Sequence, residues 1–494
     1  MFFLWVLLLL GFDLVTFRCF PVPWYDEALF ADPAATLVLQ GHWTSTIWFG
    51  RGDFSYWGGN MPAYSLLLVP WLWLWGMGEL AVRSFNYVLF ALTLVCLWFS
   101  VKRLNLIPSA KFRLATLCAL SLCYPVSYCV RCGRPDVLGM LLFALSAFFW
   151  TSPRKIIAHV GLFICAFIIP FVGLQYAFYM PVLLGVLLWA GGKPALNRLC
   201  AIIGGGIIGG ILLVAYYHFV AGWDGLLANM SNVHARLPSG VWDRIRMLIK
   251  TQILFYYFGR PHFILLIAAS GLLAITWKRL TGISRRTLLL GMTMLLVPGV
   301  ALGLFSHFMA PYHWLAVAPA LILLASAAAK SWGKISPGVK MLCVLLALGL
   351  AVSGRLVFVM LGWGVADAAY TDQMQKAAAA QVRPGEVVFI DPQVYYAIKP
   401  VASRIYVSQI VPVLNAQEKD SVTVAFLHVN GIDFSPTWFT NNNFSGHWVR
   451  VTDLPAPCSQ VKISPFVSKL LGWFHAAAYI GEPLAVYRRE DAGQ

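Results

Sequence analysis

The chain has 494 residues, 60% of them hydrophobic and only 11% charged, with 20 Trp and 33 Phe. That apolar share lies far above the roughly 45–50% of soluble domains and excludes an ordinary soluble protein. The net charge of +16 does not mark a nucleic-acid binder, because the basic residues fall in short clusters between apolar runs, the pattern that orients a membrane protein.

Apolar runs of about 17–22 residues, each long enough for a bilayer core of about 30 Å, recur to about residue 361. The first, MFFLWVLLLLGFDLVTFRCF, lacks the basic start and the small-residue cleavage site of a signal peptide, so it reads as a retained span. Its Asp13 and Arg18 are costly in lipid and are expected to face other helices or snorkel. Further spans are expected at about 80–101, 112–129, 136–151, 156–172, 174–190, 199–220, 261–277, 287–305, 313–329 and 341–361.

The loops alternate in charge. KRLNLIPSAKFR, SPRK, GGKPALNR, WKRLTGISRR and KSWGKISPGVK are short and basic without a carboxylate, which puts them on the cytoplasmic side. Residues 21–79, CVRCGRPD, residues 221–260 and SHFMAPYH then face outward. Residues 61–78, MPAYSLLLVPWLWLWGMG, are apolar enough to span. A crossing there would pull the acidic 21–60 loop inside, so Trp71, Trp73 and Trp75 are read as an interfacial helix.

After residue 365 the composition becomes that of a soluble domain. ADAAYTDQMQKAAAAQ is helix-like and Pro384-Gly385 ends it. EVVFID, SRIYVS, SVTVAFLHV, HWVRV and LAVYRR have strand character, and FTNNNFSG reads as a turn cluster. The fold class expected is a polytopic α-helical membrane protein of about 11 transmembrane helices with a C-terminal extracytoplasmic α/β domain. Residues 1–361 form the membrane module, with 21–79 as its first outer loop, and 366–494 the outer domain.

The first outer loop opens with PVPWYDEALFADPAATLVLQG, three carboxylates within seven positions. Asp32-Pro33 followed by AATLVLQ and Gly41 reads as a short capped helix, which gives Asp32 a structural explanation. Asp26 and Glu27 precede that helix and lack one. Neighbouring side chains diverge, so one carboxylate is expected to face a cavity and the other to brace the loop.

Several other residues draw attention. Arg83, Arg131, Arg134, Arg236, Arg244, Arg246, Lys250 and Arg260 face outward against the charge bias, and phosphate coordination would explain them. Lipid-headgroup anchoring competes for Lys250 and Arg236. Arg244 and Arg246 are too close in sequence to share a helix face. Of the outward histidines His42, His234, His262, His307 and His313, the last is the strongest functional candidate. Asp53, Asp224 and Asp243 read as loop caps or solvated residues. Asn229 and Asn443 begin glycosylation sequons, relevant only in a eukaryotic secretory setting. Cys129 and Cys132 have CxxC spacing without the second pair a zinc site needs, and read as structural. The scattered cysteines form no disulfide framework.

A first span, then WYDEALFA, then NMPAYSLLLVPWLWLWGMGELAVRSFN leading into the second span, resembles the GT-C membrane glycosyltransferases. The protein mannosyltransferase and aminoarabinose-transferase-like families, with their RgtA/B/C/D-like bacterial members, are the relatives it resembles. SYCVRCGRPDVLGMLLFALSAFF resembles their R-x-D entry into a span, and HFMAPYHWLAVAPALILL their late span. The resemblance covers about residues 1–330.

It implies transfer of a sugar from a polyprenyl-phosphate donor to a glycan, lipid or protein acceptor at the outer face of the bilayer, the plasma (inner) membrane if bacterial. Asp26 is the implied base, Glu27 its support and Asp136 the second acidic position. Arg83, Arg131, Arg134, Arg244, Arg246, Arg260, Tyr312 and His313 are the candidates for the donor phosphate and substrate. Two departures matter. Gly59-Asn60-Met61-Pro62 stands where aminoarabinose transferases have Glu-Lys-Pro-Pro, and Ala310-Pro311-Tyr312-His313 lacks the late Arg. A divalent metal is left open and is not required. The competing readings are a non-catalytic polyprenyl-phosphate-binding subunit and a transporter. Against the transporter, no internal repeat is evident and the ionisable residues gather at one interface.

Overall fold

The computed structural model describes residues 1–17, 22–48, 62–191, 196–221, 223, 240–250, 257–305, 310–352, 354, 368–429, 436–454 and 482–490. Arg18, Asp53, Asp224, Asn229, His234, Arg236, His307, Gly59–Met61 and the expected domain boundary at 361–366 lie outside the described residues.

The membrane module is helical. In chain order its helices are α1 (Phe2–Thr16), α2 (Tyr25–Gln40), α3 (Pro62–Trp75), α4 (Glu79–Arg103), α5 (Ala110–Leu122), α6 (Tyr124–Arg131), α7 (Asp136–Trp150), α8 (Lys155–Val172), α9 (Leu174–Gly191), α10 (Leu196–Tyr216), α11 (Val241–Met247), α12 (Pro261–Ile275), α13 (Gly282–Phe305), α14 (Trp314–Ser331) and α15 (Pro337–Ala351). Every expected span is met by a helix or a helix pair.

Length and composition pick out the helices able to cross a bilayer among the described residues, five alone and a sixth if the bent pair α5–α6 is one span. Five helices are long and apolar enough among the described residues: Glu79–Arg103, Lys155–Val172, Leu196–Phe219, Gly282–Leu302 and Trp314–Lys334. The expected span at 112–129 is broken, α5 and α6 meeting at a 59° bend. Pro125 is the reason. It lacks the N–H that would continue the α5 ladder, and its ring would collide with a carbonyl one turn back. Cys123 accordingly leaves the helix with extended dihedrals before α6 restarts. The other apolar helices cover 10–17 residues each among the described residues. Helix α3, at 14 residues, covers about 21 Å.

Helices α8 and α10 touch backbone to backbone. A Cβ on Gly205 would lie 2.3 Å from the Phe163 carbonyl oxygen, and one on Gly209 at 2.3 Å from that of Phe167. Glycines four apart let membrane helices approach this closely. Asp13 is buried against neighbouring helices, as its cost in lipid demands.

The C-terminal region is a five-stranded mixed sheet: β1 (Val387–Ile390), β2 (Arg404–Val407), β3 (Val424–His428), β4 (His447–Leu454) and β5 (Leu484–Glu490). The spatial order is β2-β1-β3-β5-β4. β1 lies parallel to both β2 and β3, while β5 runs antiparallel to β3 and β4. All five strands fall on the expected runs. Helix α16 (Ala368–Ala380) precedes the sheet, and the short α17 (Tyr395–Ile398) follows β1. The expected turn at 439–446 is partly helical: Pro436–Asn441 is a helix, and the turn itself uses positive φ at Asn443 and Gly446.

Candidate active site

Helix α2 begins at Tyr25, not at Asp32. Asp26 and Glu27 therefore sit in its first turn, where the positive end of the helix dipole favours carboxylates. The short helix expected after Asp32 is in fact the second half of this longer one. Pro33 would leave the Leu29 carbonyl without its helical donor. The Trp48 indole N–H supplies one at 2.8 Å, so the helix runs through. Gly41 ends it in the left-handed region (φ 75°), as the sequence suggested.

The three carboxylates go to three different places. Glu27 is fully buried. Arg83 grips it with two bonds, Nε to Oε1 at 2.9 Å and Nη2 to Oε2 at 2.7 Å. The Tyr396 hydroxyl donates to Oε1 at 3.0 Å. Arg83 also bonds the Phe17 carbonyl at 2.5 Å and pairs with Glu79. Gly133 crosses over Glu27 at φ 59°, and a Cβ there would fall 2.8 Å from Glu27 Cγ.

Asp26 is the carboxylate that stays open, with 29% of its side chain exposed. It pairs with Arg134. The same guanidinium bonds Asp136 through Nε at 2.7 Å, and the Tyr176 hydroxyl donates to the other Asp136 oxygen at 2.5 Å. The rings of Trp24 and Phe30 lie 5.7 and 5.4 Å from the Arg134 guanidinium carbon. Asp136 is the first residue of α7, so two helix N-termini converge on one cation. Asn86 braces the loop by donating to the Arg134 carbonyl at 2.9 Å.

Asp32 has no capping role. It is buried and accepts from Ser45 at 2.6 Å and Tyr395 at 2.9 Å, and it pairs with Lys399 at 2.7 Å. Lys399 also reaches the Thr36 hydroxyl at 2.8 Å.

The structure divides the remaining candidates. Arg131 is turned away from Asp26 onto α1, bonding Asp13 at 3.1 Å and the Thr16 carbonyl at 2.7 Å. Arg83 and Arg131 are thus both buried among protein partners, the first on α2 and α4 and the second on α1. Tyr312 lies within electrostatic reach of Arg134 and Asp136, and burial, aided by the Asp136 charge, pushes its phenol up to about 12. It therefore stays protonated at neutral pH and is available as a hydrogen-bond donor.

His313 is fully buried and shares a 3.0 Å hydrogen bond with His262, which stacks on Tyr124. Arg260 is buried at the start of α12, next to His262 in space. Arg244 and Arg246 lie on α11, and Arg246 is 69% exposed and paired with Asp243 at 3.5 Å. The structure thus gathers Asp26, Arg134, Asp136 and Tyr312, and Arg246 has no described bond to that group. Cys129 and Cys132 are buried free thiols. Among the described residues no three His, Cys, Asp or Glu side chains are placed to hold a metal ion.

A cavity of about 570 Å³ lies beyond the Glu27–Arg83 pair, between α1, α3, α4 and α16, with Phe17, Trp71, Glu79, Gln375 and Tyr396 among its walls. Asp26 is not in that lining. The sequence reading missed Tyr176, Tyr395, Tyr396 and Lys399. The Gln-Tyr that opens α9 in an otherwise apolar run was a signal for Tyr176. The other three carried none, because a Tyr-Tyr pair in an ordinary α/β segment is unremarkable until its partner helix is known.

The apolar helical bundle with its bent helix pair and appended sheet has the GT-C fold of an integral membrane protein, as its structural likenesses show. The structure is similar over 98% of this chain to that of ArnT from Cupriavidus metallidurans bound to undecaprenyl phosphate, with a TM-score of 0.61, 13% identity and 97% of that chain covered. The apo form of the same protein is similar over 91% of this chain and 96% of its own (TM-score 0.57, 14% identity). The arabinofuranosyltransferase AftD from Mycobacteria is similar at a TM-score of 0.48 and 14% identity, over 99% of this chain but 40% of that one. No protein-family model matches the sequence, and no curated protein matches it.

Proposed function

We propose that this chain transfers a sugar from a polyprenyl-phosphate donor to an acceptor hydroxyl at the outer face of the membrane, with Asp26 as the base. The observation that carries the reading is the partly open Asp26 at a helix N-terminus, tied through Arg134 to Asp136, in a chain similar over 98% of its length to a protein with undecaprenyl phosphate bound.

In this reaction the acceptor oxygen bonds the anomeric carbon and its proton passes to Asp26. The carbon–oxygen bond to phosphate breaks, and the electron pair leaves with the phosphate. Attack from the face opposite the leaving group inverts the anomeric centre. The departing charge needs cations and donors. Arg134, the neutral phenol of Tyr312 and Arg260 are the groups assigned to it, with His313 and His262 bracing the late loop. Glu27 and Arg83 hold α2 in place. The catalytic loop and the C-terminal domain lie outside the cytoplasm, in keeping with the basic loops on the other side.

The test is transfer by purified protein from a panel of radiolabelled polyprenyl-phosphate sugars, with membrane extract as acceptor source. Asp26→Asn is expected to lower kcat by about 10²–10⁴-fold, the usual worth of a positioned base. Equal transfer by variant and wild type removes Asp26 from the role. Binding of polyprenyl phosphate with no transfer by the wild type across the panel favours a non-catalytic binder.

A further inference from the structure

Resting on the reading of Asp26 as the base, we infer that the C-terminal domain is a working part of the active site, in which Tyr395, Tyr396 and Lys399 are positioning residues that fix the rotation and height of the helix carrying Asp26.

The geometry is a clamp with two anchors. Tyr395 and Lys399 are four residues apart at the α17 turn and so share a face, and both end on Asp32. Tyr396 lies about 100° further round and ends on Glu27. On α2 the two carboxylates are five residues apart, about 7.5 Å along the axis. Arg83, Trp48 and Ser65 already hold α2 from the membrane module. The two anchors, at different heights and azimuths, add restraint against turning and sliding from the C-terminal side. Asp26 immediately precedes Glu27, so its carboxylate moves with them.

These bonds are also unusually directional for a contact between domains. Glu27 and Asp32 are fully buried, and Lys399 nearly so. Hydrogen bonds to charged groups in such surroundings specify geometry, where apolar packing would tolerate sliding. Burial, and then the Glu27 charge, push the Tyr396 phenol well up, so it remains a donor. The grip continues along the loop, with Gln40 donating to the Ser403 carbonyl at 3.1 Å and Thr46 to that of Ile405 at 2.6 Å. The clamp segment leaves the carboxyl end of β1 between its two parallel neighbours. Open α/β sheets hold their ligands at this position. Here the position holds a helix of the membrane module.

The experiment uses the full-length protein in detergent, with Tyr396→Phe, Tyr395→Phe and the double variant, and with Arg450→Ala on β4 as a control. Folded enzyme is quantified before kinetics, and amide exchange is followed over residues 25–40. Tyr396→Phe is expected to lower kcat by about 10–100-fold with donor KM nearly unchanged, because a misplaced catalytic group costs rate more than binding. Exchange over α2 is expected to quicken in the variants and not in the control. If kcat per folded molecule stays at the wild-type value, the inference is overturned, whether or not exchange quickens. If the wild type transfers nothing, the function reading fails separately, and unchanged exchange in the double variant then overturns the clamp itself.

Discussion

Replacing Arg83 by Met tests the physical core of the site. Arg83 is fully buried and holds the Glu27 carboxylate with bonds of 2.9 and 2.7 Å, the Phe17 carbonyl at 2.5 Å, and Glu79. Met fills most of the volume but leaves two carboxylates without their cation. Removing one partner of a buried ion pair costs about 3–5 kcal/mol, because the charge left behind stays desolvated. Against the roughly 5–15 kcal/mol stability of a typical domain, that is a large loss. Pairing it with Glu27→Leu removes the stranded charge as well, and the double variant is expected to recover at least about half of the loss. Recovery is incomplete because Glu79 remains and Tyr396 loses its acceptor. Denaturation of each purified variant in mixed micelles, followed by tryptophan fluorescence, gives the energies. A single variant within about 1 kcal/mol of wild type, or a double variant no more stable than the single, would refute the view of Arg83 and Glu27 as one electrostatic unit.

Gly133→Ala is expected to destabilise by at least about 1 kcal/mol and to depress transfer, since its φ of 59° disfavours a side chain and its Cβ would press on Glu27; melting and kinetics report both. Gly209→Leu should force α8 and α10 apart, because the position of its Cβ is 2.3 Å from the Phe167 carbonyl oxygen, and the yield of folded protein in detergent measures this. Arg134→Lys keeps the charge but loses the planar fork, so it cannot bridge Asp26 and Asp136 alike; transfer per folded molecule should fall, and melting should show a lower Tm because a carboxylate loses its partner. The hydrogen bond to Asp391, and then the Asp391 and Glu482 charges, hold the His428 imidazole above its ordinary value. Its stabilising contribution is therefore complete below about pH 6.5 and lost as pH rises through the raised folded value. Melting across that range should show the decline, and Asp391→Asn should flatten it.

The helical runs and the five strands were legible in the sequence, and the Asp-Glu pair drew attention there. Apolar length and two-residue alternation are local properties, and a carboxylate pair in a chain with so few charges stands out. The different settings of Asp26, partly open, and Glu27, buried, were also legible in outline, since neighbouring side chains diverge. Only the tertiary structure decided what each charge meets. Arg83, Arg131 and Arg134 looked equivalent as outward cations, yet the first is wrapped around Glu27, the second is folded onto Asp13, and the third joins Asp26 to Asp136. Asp32 and Pro33 read locally as a helix start; the Trp48 indole and the Lys399 ammonium made them a helix middle and a domain anchor. A hydrogen bond between residues more than 360 positions apart leaves no periodic trace in either segment. It exists because the chain brings two separately folded surfaces together, and a buried charge takes whichever partner that meeting supplies.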